Sequence, residues 1–153
     1  MNEKSYNIDI AVKGDAEAIA EAEAASFTDP WSVGAVTAEV TGENSVVLCA
    51  KDAKGCLVAY VMGSFASDEG ELFRIAVLER HRRCGLGKAL LCRFKDELLS
   101  HGVQIVFLEV RASDAAAVSL YESEGFKRYA VRRNYYKDPT EDALMMRLDL
   151  AND

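Results

Sequence analysis

Hydrophobic and polar residues change period several times along this chain, and each change marks a predicted element. Residues 6–12 alternate, with Ile8, Ile10 and Val12 on one face, the period-two pattern of a strand. Asp15 stands where an N-cap would open a helix rich in alanine and glutamate, running through Ala25. Asp29-Pro30-Trp31-Ser32 predicts a turn, with Ser32 capping a short second helix through Val40. Residues 45–51 and 56–65 predict two strands joined by a turn at 52–55, and residues 71–77 a third beside them. The period then lengthens. Leu86, Leu90, Phe94 and Leu98 recur every four residues, while Lys88, Arg93, Lys95, Asp96 and Glu97 take mostly the other side. That is an amphipathic helix to about Ser100, ended by His101-Gly102. Residues 103–110 are apolar almost throughout, which predicts a central strand covered on both faces. Residues 114–124 predict a helix stopped by Gly125, and residues 126–136 and 143–150 two closing strands around a turn at 137–140.

The order β, α, α, β, β, β, α, β, α, β, β predicts a mixed α/β sheet with antiparallel hairpins early and late and helical crossovers in the second half. No linker, repeat or low-complexity tract interrupts it, and 153 residues suit a single domain spanning 1–153. The chain is 50% apolar and 28% charged, the profile of a soluble globular protein. No stretch is long and apolar enough to span a membrane. Met1-Asn2-Glu3-Lys4-Ser5 lacks the regions of a signal peptide, so the cytoplasm is the expected compartment, and a monomer or weak oligomer the expected state. The net charge of −7 argues against direct nucleic-acid binding and suits a basic partner. Four cysteines without a C-x-x-C pair and two histidines suggest no metal site.

Candidate chemistry concentrates at Arg82-Arg83-Cys84-Gly85-Leu86-Gly87-Lys88, between a predicted strand and a predicted helix. Glycines there let the backbone approach an anion, the helix start offers N–H groups and a positive dipole end, and the basic side chains add charge. The turn therefore predicts a phosphate-bearing ligand. It is not a dinucleotide fingerprint, because Leu90 stands where the third glycine belongs, and no G-K-[ST] makes it a Walker loop. Cys84 would need a partnered base to act as a nucleophile, and only His81 is near in sequence.

This strand–R-x-x-G-x-G–helix join, with the element order around it, resembles the GNAT superfamily of N-acetyltransferases over nearly the whole chain. The resemblance implies a mostly antiparallel sheet of about seven strands flanked by about four helices. It implies acetyl-CoA as acetyl donor, with no metal. The pyrophosphate would lie on Arg82, Arg83, Cys84, Gly85, Leu86, Gly87 and Lys88, and the pantetheine arm along Ile75, Ala76 and Val77. Leu108-Glu109-Val110-Arg111-Ala112-Ser113, Leu120-Tyr121-Glu122, Gly125-Phe126 and Arg132-Arg133-Asn134-Tyr135-Tyr136 resemble more narrowly the RimI type. Those enzymes acetylate the N-terminal alanine of small-subunit ribosomal protein eighteen, so the implied partner is the basic N-terminal peptide of a ribosomal protein. Asp114 stands where that type commonly carries an asparagine that contacts the cofactor, and Cys84 where a basic residue is frequent.

The resemblance implies Glu109 as general base and Tyr121 as the acid that protonates the departing thiolate. A carboxylate near the end of an apolar strand is partly desolvated, which suits it to accept a proton, although Glu109 is also placed to pair with Arg111. A backbone N–H near Val77 would face the oxyanion if the strand bulges there. Trp31, Arg133, Asn134 and Tyr135 are the expected acceptor-binding residues, the last three alternating faces on a strand. Asp29, Glu39 and Glu43 are candidates to attract a basic tail. Two other readings stay open: transfer to lysine side chains or small amines, and a regulatory module that holds acetyl-CoA without turnover.

Overall fold

The computed structural model describes residues 5–150. The segment expected not to be a signal peptide, apart from Ser5, and the last three residues of the expected 1–153 domain lie outside the described residues. In chain order the elements are β1 (Asn7–Ile10), α1 (Ala16–Ser26), α2 (Val33–Val40), β2 (Ser45–Lys51), β3 (Leu57–Ala66), β4 (Glu69–Val77), α3 (Leu86–Ser100), β5 (Ile105–Arg111), α4 (Ala115–Ser123), β6 (Lys127–Tyr136) and β7 (Glu141–Asp149). The strands form one seven-stranded sheet in the order β1-β2-β3-β4-β5-β7-β6, antiparallel everywhere except between β4 and β5. This is the mixed, mostly antiparallel fold expected.

Alternation in β2 feeds two separate cores. Val46, Leu48 and Ala50 pack with Leu90, Leu91, Phe94 and Leu98 of α3, while Val47 and Cys49 pack with Ile19 of α1 and Val36 of α2. The strands covered on both faces are therefore β2 and β3, not the one after α3. In β5 only Val106, Leu108 and Val110 are buried, and Ile105, Phe107, Glu109 and Arg111 are half-buried on the opposite face. The reason is coverage: α1 and α2 pack chiefly on β2, β3 and β4, leaving that face of β5 open. The open face is where Glu109 stands.

Two N-terminal expectations change. The first strand ends at Ile10, and Ile10 and Val12 are exposed, because the chain turns into a short 3-10 helix at Lys13–Asp15. Asp15 does not cap α1. Its carboxylate accepts from the Val12 N–H at 2.8 Å and pairs with Lys51 Nζ at 2.8 Å. Ser32 does cap α2, its Oγ accepting from the Ala35 N–H at 3.1 Å.

The bulge in β4 lies at Phe73 rather than at Val77. Met62 faces Arg74 and Gly63 faces Leu72, so Phe73 is the extra residue. Gly63 is required beside it, since a Cβ there would collide with the Phe94 ring and the Glu71 carbonyl. Pairing of β4 with β5 runs from Glu69–Ile105 to Leu72–Leu108 and stops. Beyond the bulge the two parallel strands part, and the edge of β4 that faces away from β3 is left without a β5 partner.

Candidate active site

The gap between the parted strands joins two cavities. The larger, about 580 Å³, is bordered by Asp29, Trp31, Glu71, Glu109, Tyr135 and Tyr136. The smaller, about 60 Å³, reaches through the split to Ile75, Asp114 and Tyr121. Phe73, Arg74, Glu109 and Tyr136 border both, so Glu109 stands at their junction.

Glu109 is half-buried, and its nearest cation is Arg132, with Nε 3.7 Å from Oε1. Arg111 is engaged elsewhere. Its Nη1 donates to the Pro139 carbonyl at 3.0 Å, its Nη2 to the Lys137 carbonyl at 2.9 Å, and its guanidinium lies 4.5 Å from the centre of the Tyr136 ring. Arg111 thus fastens the β6–β7 turn and leaves Glu109 facing the cavity. The negative field at this point acts on its neighbours. A hydrogen bond to Glu109, then burial, raises the pKa of the Tyr135 phenol. Burial, then Glu109, pushes Tyr136 up to about 12. Burial, then Glu109 and Glu39, raises the Glu71 carboxyl above the usual carboxylate range. Glu71 pairs with Phe107 across the parallel ladder, so it shares a sheet face with Glu109 two residues on. The larger cavity is therefore acidic.

Tyr121 is buried in α4, its ring edge-on to Phe126 with centroids 5.6 Å apart. Burial and, after it, the Asp114 carboxylate raise its pKa well above that of a free phenol. Asp114 caps α4, its Oδ1 accepting from the Ala117 N–H at 3.2 Å, and this fixes the carboxylate at the border of the smaller cavity.

Past Ile75, β4 leads to the glycine turn. Gly85, the N-cap of α3, has φ +80° with open space where a Cβ would stand, so it is the backbone angle that calls for glycine. Arg83 is also left-handed, at φ +63°. The Ala89 N–H bonds the Gly85 carbonyl at 3.0 Å, which leaves the N–H groups of Leu86, Gly87 and Lys88 ahead of the helix ladder. Arg82 Nε donates to the Val77 carbonyl at 2.8 Å and ties the turn to the end of β4. A Cβ at Gly87 would lie 3.4 Å from Leu120 and 3.8 Å from Val77, so the turn abuts both β4 and α4. Lys88 is exposed, its Nζ 3.9 Å from Glu124. Leu86 buries its side chain in the core and can offer a ligand only its backbone, while Ala76 packs into the α1–α2 side and, like Leu78 two residues on, turns its backbone to β3. Among the described residues no imidazole or carboxylate touches the Cys84 thiol: it donates to the His81 carbonyl at 2.7 Å and to the Tyr6 hydroxyl at 3.8 Å, and it is that hydroxyl that the His81 Nδ1 bonds, at 2.8 Å.

The expected acceptor residues divide. Trp31 packs against Phe73, ring centroids 5.5 Å apart, and also borders the acidic cavity. Tyr135 borders it too. Arg133 and Asn134 do not border either cavity. Residues 133–135 bulge out of the β6–β7 ladder instead of alternating faces, with Asn134 at φ +52° and its N–H bonded to Asp142 Oδ1 at 2.9 Å. Glu39 lies near Glu71 with its Oε1 accepting from Ser45, and Glu43 is exposed. Glu71 and Arg74 line the cavity and Glu23 supports Arg74, and none of the three belongs to the residues the sequence predicts for the site. Among the described residues no three His, Cys, Asp or Glu side chains group as a metal site, and no helix is long and apolar enough to cross a membrane.

A parallel-strand split next to a left-handed glycine at a helix start defines a class, and residues 16–126 match the acetyltransferase (GNAT) family, to which the chain belongs. Within it, the chain is 48% identical over 99 residues to the ribosomal protein bS18-alanine N-acetyltransferase of Escherichia coli, covering 63% of this chain and 67% of the relative. It is 35% identical over 143 residues to the N-alpha-acetyltransferase RimI of Mycobacterium tuberculosis, covering 90% of this chain and 88% of that one. The crystal structure of the ribosomal-protein alanine N-acetyltransferase from Escherichia coli superposes with a TM-score of 0.87 at 37% identity, over 95% of this chain and 94% of that one.

Proposed function

We propose that this protein transfers the acetyl group of acetyl-CoA to the N-terminal α-amine of a protein, its substrate being the alanine that begins small-subunit ribosomal protein eighteen, which sets the reaction in the cytoplasm. One observation carries the reading: Glu109 stands where an acidic cavity, able to take an ammonium and a basic tail, meets a narrow gap that reaches Tyr121. The relatives' activity supports the choice of acceptor.

The fit to acetyl-CoA rests on the turn. N–H groups ahead of the α3 ladder, with Arg82, Arg83 and Lys88 around them, match a pyrophosphate, and Cys84 contributes only backbone. On the β4 edge without a β5 partner, the backbone of Ile75 and the N–H of Val77 suit the amides of a pantetheine arm, the Val77 carbonyl being held by Arg82, and Asp114 borders the far side of the same gap. When bound, acetyl-CoA supplies a thioester carbonyl. Glu109 takes the proton from the acceptor ammonium, directly or through one water, because an ammonium has no lone pair with which to attack. Backbone N–H groups of the open β4 edge face the carbonyl oxygen as it gains charge. Tyr121 gives its proton to the thiolate as the C–S bond breaks, and regains one from solvent.

The reading is tested by coenzyme A release with two peptides copying the basic ribosomal N-terminus. One has a free N-terminal alanine, the other a blocked α-amine and free lysines. Turnover is expected only on the first. Turnover on the second would move the function to lysine chemistry, and silence on both would leave a binding module. Since the Cys84 thiol meets a carbonyl and a phenol hydroxyl rather than an imidazole or a carboxylate, Cys84→Ala is expected to keep most of the parent kcat. Complete loss in that variant, with an unchanged circular dichroism spectrum, would contradict direct attack by the amine.

A further inference from the structure

Glu23 has no place in the chemistry just described, yet it is fully buried. Its Oε2 accepts from the Tyr60 hydroxyl, and its Oε1 accepts from the Trp31 N–H at 3.0 Å and from Arg74 Nε at 3.2 Å. Arg74 follows the Phe73 bulge and continues the network outward. Its Nη2 donates to the Asp29 carbonyl at 2.6 Å and pairs with Asp29 Oδ1 at 3.1 Å, and its guanidinium lies 4.0 Å from the centre of the Phe27 ring. One planar cation therefore joins a buried carboxylate of α1, the bulged strand, and the loop of residues 27–32. That loop carries Asp29 and Trp31 to the wall of the acidic cavity.

We propose that Arg74 is a positioning residue for the acceptor: by holding Glu23 on one edge and Asp29 on the other, it locks the α1–α2 loop against β4 and fixes the cavity wall along which the acceptor lies. The inference rests on the acetyl-transfer reading for the identity of the acceptor, and on the contacts alone for the lock. Arg74 contributes no proton or oxyanion contact, so its effect falls on acceptor binding. The fork geometry matters. An ammonium is a single point charge and cannot serve both carboxylates as a guanidinium does.

Two variants test this. Arg74→Lys keeps a cation over Glu23, so the buried carboxylate is not stranded, but it gives up the second edge. Asp29→Ala removes the loop carboxylate and leaves the Glu23–Arg74 pair in place. Both are expected to raise the KM for the acceptor peptide roughly tenfold, with kcat and the KM for acetyl-CoA within about twofold of the parent. Trp31 is the only tryptophan, so its emission reports the loop and is expected to shift to the red in Arg74→Lys as the indole leaves Phe73, and less in Asp29→Ala, where the Arg74 bond to the Asp29 carbonyl and the Trp31 N–H bond to Glu23 remain. An unchanged acceptor KM, or a fall in kcat with acceptor KM unchanged, would overturn the proposal. Were the parent to acetylate no peptide, the transfer reading would fail. Trp31 emission and protease cleavage within 27–32 would then still decide the lock, unchanged values in Arg74→Lys overturning it.

Discussion

Glu109→Gln is expected to lower kcat/KM for the acceptor peptide by about a hundred- to ten-thousand-fold, the range for loss of a positioned general base. The amide keeps the size and the hydrogen-bonding reach of the side chain but cannot take a proton. The deficit should depend on pH in a particular direction. A peptide α-amine loses its proton near pH 8 without help (pKa about 7.7–8.0). Above that value the acceptor arrives already neutral, and the variant should recover toward the parent. Initial rates of both proteins from pH 6.5 to 9.5 check this, and a ratio that stays constant would remove Glu109 from the proton transfer. The same variant probes the neighbouring carboxyl. Glu71 is raised by burial first and by Glu109 second, so its titration, followed by NMR, should move down when Glu109 is neutralised. A carboxyl whose folded pKa lies above its unfolded value adds stability below the unfolded value and loses it as pH rises through the folded one. Removing the Glu109 charge therefore relieves Glu71 at neutral pH, and Glu109→Gln should melt no lower than the parent there. Loss of rate without loss of stability separates a catalytic role from a structural one.

The parts of this site that the sequence made legible are the local ones. Gly85 and the start of α3 depend on a backbone angle and on a four-residue repeat that closes within a few turns. Ser32 before α2 is a cap read from adjacent residues, and Glu109, Tyr121 and Asp114 came from the family resemblance. The features with no local signal depend on partners far along the chain. The Phe73 bulge exists only in the register between β3 and β4, and the outward loop at 133–135 only in that between β6 and β7. The two-sided burial expected for β5 failed because helices packed sixty or more residues earlier in the chain do not extend over it. Glu23 left one trace. It falls on the same helical stripe as Ala16 and Ile19, both buried, so a charge on the apolar side of α1 signalled a partnered carboxylate. Arg74 left none, since an arginine in a strand between phenylalanine and isoleucine reads as an ordinary exposed position. Yet these two residues fix the loop that carries Trp31, and they explain how a residue expected to bind the acceptor also packs against Phe73.

Tyr121→Phe carries the second large effect, an expected fall in kcat of about a hundredfold or more with little change in either KM. The substitution removes only the hydroxyl, and the edge-on packing against Phe126 that holds the ring remains. The raised pKa of this phenol fits the role in spite of making it a weaker acid. The group must hold its proton until a thiolate appears, and the burial that raises the phenol also raises the basicity of a thiolate released beside it. The balance between donor and acceptor is thus kept while both are shifted. The sign for pH follows. Because burial and Asp114 favour the neutral phenol in the folded protein, Tyr121 stays protonated past the pKa of about 10 that a free phenol shows, and the parent rate should show no alkaline decline below that point from this group. Stability from the same group is present below the unfolded phenol's pKa and is lost as pH rises through the higher folded one. Tyr121→Phe should accordingly resist alkaline unfolding better than the parent while turning over far more slowly. A variant that kept the parent kcat would leave the buried hydroxyl without a part in the reaction and assign the thiolate's proton to solvent.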